Sequence, residues 1–236
     1  TGGISIFDAS SVTVTDSQFI SNAATGSANA VSTLSGGRYG GLQVGTTSGD
    51  VTITSSGFVG NTANQERGGF SITTVGGTTT INDVSVLGNV AVNARVGGFE
   101  VLTDNFDAGG NCLGTSLHPV NISNTEVKLN LAATNTGGFR VICSGNVTVD
   151  NSTIQLNEVF GSPVPGSGGN SAGQISTNPS VTMTNVRIQG NKTFSGAGVN
   201  NGGFGVFTVQ DTPSFTGTAL LVRDNYAQQN ESGLSL

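Results

Sequence analysis

The sequence predicts an all-β fold: a right-handed parallel β-helix of about seven coils with three short strands in each. Three observations predict it. A glycine-led apolar segment recurs along the chain, an asparagine follows each recurrence at nearly fixed depth, and apolar residues alternate with polar ones in between. GGISI, GGLQV, GGFSI, GGFEV, GGFRV, AGQIS and GGFGV begin at residues 2, 40, 68, 97, 137, 172 and 202. Asn22, Asn61, Asn89, Asn157, Asn191 and Asn225 lie 19 to 23 positions after their segments. Asn130 lies 33 positions after its own, because extra residues intervene. A repeat of this length buries each unit's apolar face mainly against neighbouring units, so the chain reads as one elongated domain over residues 1–236.

The first strand of each unit follows the glycines. Its inward side chains are Ile4 and Ile6, Leu42 and Val44, Phe70 and Ile72, Phe99 and Val101, Phe139 and Val141, and Phe204 and Val206. The sixth unit breaks this pattern with Gln174 and Ile175. Ten positions before each asparagine stand Val12, Val51, Thr79, Val120, Val147, Val181 and Phe215. Eight before stand Val14, Ile53, Ile81, Ile122, Val149, Met183 and Gly217. These alternate positions define a second strand with one apolar face. Three before the asparagine come Phe19, Phe58, Val86, Val127, Ile154, Ile188 and Val222, the inward position of a third strand. Gly, Ser, Asn and Asp separate the strands as turns. Right-handedness follows from the general crossover preference. Period 2, β-branched enrichment and glycine density exclude a helical reading.

The asparagines Asn22, Asn61, Asn89, Asn130, Asn157, Asn191 and Asn225 are expected to form a structural ladder. At a tight turn a short amide accepts a backbone N–H and tolerates a left-handed conformation. Stacked once per coil, each amide also donates to the next and satisfies groups that are costly to bury unpaired. Ala24, Ala63, Ala91, Ala132 and Ala227, with Val159 and Thr193 between them, follow two places later as further inward residues. The paired glycines fit either a close approach of adjacent coils or a φ > 0 turn. No glycine-rich phosphate loop precedes a helix, so nucleotide binding is not expected.

Composition narrows the function. The 8 Lys and Arg against 14 Asp and Glu give a net charge of −6, and the basic residues read as scattered, so no nucleic-acid partner is expected. Charged residues are only 9% of the chain, which leaves a surface of Ser, Thr, Asn, Gln and Gly. No apolar run approaches a transmembrane span, so this segment is not expected to insert in a membrane. The chain opens inside a repeat without a signal peptide and reads as a portion of a longer protein. Cys112 lies in a loop insertion at about 104–118, and Cys143 ends the first strand of the fifth unit. A disulfide between them would place the protein in an oxidising compartment; two buried thiols are the alternative.

Candidate sites lie on the outside. Thr13 and Thr15, Thr52 and Thr54, and Thr182 and Thr184 flank the inward residue of the second strand, with Thr80/Asn82, Asn121/Ser123, Thr148/Asp150 and Thr216/Thr218 in the other units. Such rows resemble the T-x-T face of β-helical ice-binding proteins and equally suit a glycan-binding or self-assembly face; Thr is also simply a soluble strand former. Asp16, Asp83 and Asp150 fall in alternate coils, about 10 Å apart, too far to share a proton or a calcium ion. Glu100, Asp104 and Asp107 form an acidic group for which a solvated loop is expected over a weak Ca²⁺ site. His118, before Pro119, suits a turn rather than catalysis. No nucleophile–base pair is present, so no catalytic residues, cofactor or metal are assigned. Asn121, Asn146, Asn151, Asn191 and Asn230 begin N-x-S/T triplets open to glycosylation, with Asn191 in conflict because it belongs to the ladder.

Gly-Gly-apolar followed by Phe-x-x-Asn resembles the repeat of the polymorphic outer membrane protein family. GGIS with FISN (Phe19–Asn22) and GGLQ with FVGN (Phe58–Asn61) carry the likeness, and VLGN, VKLN, IQLN, IQGN and VRDN are looser versions. The resemblance spans essentially the whole chain. It implies the β-helical passenger of an autotransported surface protein acting in adhesion and display, and it supplies no catalytic residues. The expected function is therefore an extracellular or cell-surface structural β-helix, an adhesin stalk or filament component. Self-association, other surface proteins and glycans are the expected partners. Polysaccharide binding or degradation, and ice binding, are the alternatives.

Overall fold

The computed structural model describes residues 1–26, 38–93, 95–103, 112, 117–160, 169–170, 172–176, 179–194, 206–228 and 233–236. Every strand pairing is parallel, and each strand hydrogen-bonds to its counterpart one coil away, which is the signature of a β-helix. The coil is right-handed. The first sheet contains eight strands, Ile4–Phe7, Leu42–Thr47, Phe70–Thr74, Phe99–Leu102, Phe139–Ile142, Gly173–Ser176, Phe207–Gln210 and Leu234–Ser235, the last of which begins an eighth turn.

The two other predicted strands are limbs of one sheet. In the second and third coils they run together as nine-residue strands, Val51–Val59 and Thr79–Leu87, bent at Ser55 (φ 46°) and Asp83 (φ 55°). Asp16, Asn124, Asn151, Asn185 and Ala219 hold the same left-handed corner in the remaining coils. The third sheet was not anticipated as a sheet. Its strands have two residues each, from Ala23–Ala24 to Tyr226–Ala227, too short to show alternation, and they carry the small inward residues after the asparagine. The described coils thus run through these three sheets, with the second and third predicted strands as limbs of the bent one, and a further two-stranded sheet pairs Asn135–Thr136 with Gly169–Asn170.

Register follows the asparagine alignment at every described coil of the bent sheet, Val12 pairing with Val51 and Val181 with Phe215. The first sheet departs once. Phe207 and Val209, not Phe204 and Val206, continue the inward row, because Gly173 pairs with Phe207 and Ile175 with Val209. Phe204 lies outside the described residues. Gly173 leaves a gap in the phenylalanine column, and the Phe207 ring leans over it to meet Phe139 edge-on at 5.8 Å. Phe70, Phe99 and Phe139 stack nearly parallel at 4.7 and 5.2 Å, and Phe58 joins them to Phe19. This aromatic spine runs through a core of buried Val, Ile and Leu.

The asparagine ladder forms throughout. In each interior rung Oδ1 accepts both the backbone N–H and the Nδ2 of the preceding asparagine. Nδ2 donates to the following asparagine and to the carbonyl of the inward residue of the coil before. Asn61, Asn89, Asn130, Asn157 and Asn191 are completely buried, with all four hydrogen-bonding capacities used. The left-handed residue is not the asparagine but the one before it: Ser21, Gly60, Gly88, Leu129, Leu156, Gly190 and Asp224 all have φ between 53° and 67°. That corner turns the asparagine side chain inward. The paired glycines serve close approach rather than a turn: a Cβ at Gly69 would stand 2.4 Å from the Gly98 carbonyl oxygen.

Candidate functional site

The bent sheet presents the predicted outward rows. Thr13, Thr52, Thr80, Asn121, Thr148, Thr182 and Thr216 lie in one continuous register, and Thr15, Thr54, Asn82, Ser123, Asp150, Thr184 and Thr218 in the next. The second row is partly tied up within the protein. Thr15 bonds Thr54 at 3.3 Å, and Ser123 and Asn124 both donate to Asn82 Oδ1, at 2.9 and 2.8 Å. The Thr hydroxyls of the first row have no side-chain hydrogen bond among the described residues, so they face solvent as free donors and acceptors.

Beside these rows, the bend creates a shallow trough between the left-handed corner residues and the first outward row of the second limb. Over the last three coils it has a volume of about 440 Å³ and is lined by Asn151, Thr153, Asn185, Arg187, Ala219 and Leu221 together with Ser152 and Val186. Over the first three coils it measures about 380 Å³ and includes Gln18, Ser55, Asp83, Ser85 and Leu87. The corner amides are linked along the axis: Asn185 Nδ2 donates to Asn151 Oδ1 at 2.6 Å, and Asn151 Nδ2 donates to Asp150 at 2.8 Å. Each of these amides retains one further N–H.

A second feature escaped the sequence reading. Part of the basic set gathers: Arg67 and Arg140 converge on Glu100, which is 1% exposed on the outer side of the first sheet. Arg67 also pairs with Glu66, which Arg38 approaches to 3.9 Å, and its guanidinium lies 5.6 Å from the Tyr39 ring centre. Arg140 Nη1 stands 3.5 Å from Glu100, and its Nε donates to Gln174 at 3.0 Å. Burial alone would raise the Glu100 carboxyl, but the charges of Arg67 and Arg140 hold it below its ordinary value. Burial likewise opposes the charge on Arg67, and Glu100 outweighs it; for Arg140, burial dominates and lowers its pKa. The signal was available in the repeat, since Glu100 and Arg140 occupy the same strand position one coil apart.

This arrangement corrects the solvated-loop expectation for Glu100, which is a buried strand residue whose oxygens are engaged by guanidinium groups; Asp104 and Asp107 lie outside the described residues. Among the described residues, no group of three or more His, Cys, Asp or Glu side chains gathers as a metal site. Cys112 and Cys143 form a disulfide with their Cα atoms 5.4 Å apart, tying the insertion to the corner after Phe139–Ile142. His118 sits at that same corner, its ring 3.1 Å from the Val75 carbonyl and its own carbonyl accepting the Gly145 N–H at 2.8 Å. Of the glycosylation triplets, Asn121, Asn146 and Asn151 are exposed, Asn191 is buried in the ladder, and Asn230 lies outside the described residues. Among the described residues no helix is long and apolar enough to cross a membrane.

No family model, no curated protein and no solved structure matches this chain. The likeness to the polymorphic outer membrane protein repeat therefore rests on the GGxx and FxxN residues themselves, and what the structure shows is the parallel β-helix solenoid that the likeness implied.

Proposed function

We propose that this chain is the structural and adhesive segment of an extracellular or cell-surface protein, a β-helical stalk or filament component without catalytic activity. The observation that carries the reading is the asparagine ladder. It satisfies the buried corner of every coil and fixes the outer rows at the coil repeat, about 4.8 Å per coil. A rod of this kind holds a long polar surface in place before a partner arrives, so little ordering entropy opposes contact. The disulfide supports an oxidising compartment. The outer surface, poor in charge and rich in hydroxyls and amides, suits glycans and other surface proteins rather than nucleic acid.

The test uses the full-length gene product. Cell fractionation is expected to find it outside the cytoplasm, electron micrographs to show elongated particles, and the purified protein to bind cell surfaces or itself. A strictly monomeric product with no surface binding overturns the reading. Turnover on any member of a neutral and acidic polysaccharide panel would instead favour an enzyme.

A further inference from the structure

We infer that the trough over the last three coils binds a carboxylate-bearing sugar of an acidic glycan, with Arg187 as the anion-recognising residue. The inference rests on the adhesive reading above and names the chemistry of one of its contacts. Its starting point is a charge that the molecule leaves unanswered. Arg38, Arg67, Lys128, Arg140 and Arg223 each have a carboxylate within 4.0 Å, whereas Arg95, Arg187 and Lys192 have none among the described residues, and of these three Arg187 lines the trough, where it is exposed. An exposed guanidinium without an internal partner keeps its planar fork free for an external carboxylate, which it takes with two parallel N–H···O bonds.

The neighbours supply what a sugar ring needs. Thr153 and Arg187 are in direct register on adjacent coils, so a hydroxyl stands one coil from the guanidinium. On the corner side, Asn185 spends one amide hydrogen on Asn151 and Asn151 spends one on the Asp150 carboxylate, and each retains another for a ring hydroxyl. Ala219 and Leu221 close the end of the trough, and Leu221 is 39% exposed, an apolar surface for the C–H face of a pyranose. No aromatic platform lines the trough, so hydrogen bonds and the ion pair lead, and strength comes from many contacts along a polymer rather than from one tight subsite. The N-terminal trough lacks this chemistry, since its charged residue is Asp83.

The experiment titrates the folded protein with galacturonic acid oligomers, with the same oligomers after reduction of their carboxyls, and with an acidic peptide of equal charge. Wild type is expected to bind the oligogalacturonate in a salt-sensitive manner, and Arg187→Gln to weaken this at least tenfold with an unchanged melting curve. Asp83→Asn is expected to leave binding unaltered. Equal binding of the carboxyl-reduced oligomer, equal binding of the peptide, an unaffected Arg187→Gln variant, or no binding of the acidic oligomer each overturns the inference. Cell-surface binding measured in parallel separates the two levels. If wild type and Arg187→Gln adhere equally, the glycan assignment fails while the adhesive reading stands. If neither adheres, both fail.

Discussion

Replacing Asn130 by Ala probes the ladder where it is most deeply buried. The side chain accepts the Asn89 backbone N–H at 3.0 Å and the Asn89 Nδ2 at 3.0 Å, and donates to Asn157 Oδ1 at 2.9 Å and the Val86 carbonyl at 2.8 Å. Truncation strands two donors on Asn89 and removes a donor from Val86, in a region with no exposed surface. A buried unsatisfied polar group costs about 1–3 kcal/mol, so the two donors alone amount to roughly 2–6 kcal/mol and the expected loss is about 3–5 kcal/mol. Asn22→Ala is the control. It occupies a partly exposed terminal rung, where the Asn22 side chain makes one hydrogen bond among the described residues, to Asn61 Oδ1, and Asn61 Oδ1 still accepts the Asn22 backbone N–H. Its expected cost is about 1 kcal/mol. Urea unfolding gives the two values, and amide hydrogen exchange at Asn89 reports the local opening even if the solenoid unfolds in stages. Losses that agree within about 0.5 kcal/mol would refute the claim that the ladder's worth lies in satisfying buried groups.

Three further outcomes follow from particular residues. Thr79 stands fully buried in a column of valines with its hydroxyl unpartnered, so Thr79→Val is expected to stabilise by about 1–2 kcal/mol in the same urea assay. Glu100→Gln leaves the guanidinium groups of Arg67 and Arg140 facing each other and is expected to cost about 3 kcal/mol. Because the folded Glu100 carboxyl is held below its ordinary 4.5, its contribution is present above that pH and is lost as pH falls through the depressed value. The difference in unfolding free energy between wild type and Glu100→Gln should therefore shrink on acidification, and a difference independent of pH from 6 to 2 would contradict the pairing. The disulfide closes a separation of 31 residues, and reducing it is expected to lower stability by roughly 3.5 kcal/mol, read from melts with and without reductant.

The bent sheet was legible because three inward positions, at ten, eight and three residues before the asparagine, carry the same chemistry in nearly all seven coils. The exceptions are informative. In the seventh coil two glycines precede Phe204 as they do Phe70, yet Phe207 takes the column, and local pattern alone cannot distinguish two phenylalanines three residues apart. The third sheet was hidden because hydrogen bonding between coils, rather than alternation along the chain, defines a two-residue strand. The Arg67 side of the Glu100 cluster was hidden for a related reason. Arg67 and Glu100 are 33 residues apart in sequence, and only the coil stack brings their side chains together. The register of the threonine rows, by contrast, follows from alternation along the strand, and the trough beside them appears only once the corner between the two limbs is known to bend.

The ladder also separates position in the core from distance along the chain. Successive rungs are 39, 28, 41, 27, 34 and 34 residues apart, yet each amide meets the next at 2.9 to 3.0 Å. Residues added between one rung and the next therefore leave the register of the strands that follow unchanged. Such a chain can gain, lose or exchange whole surface loops while its interior keeps the same pitch. Its outer contacts can be rewritten by insertion and deletion as readily as by point substitution.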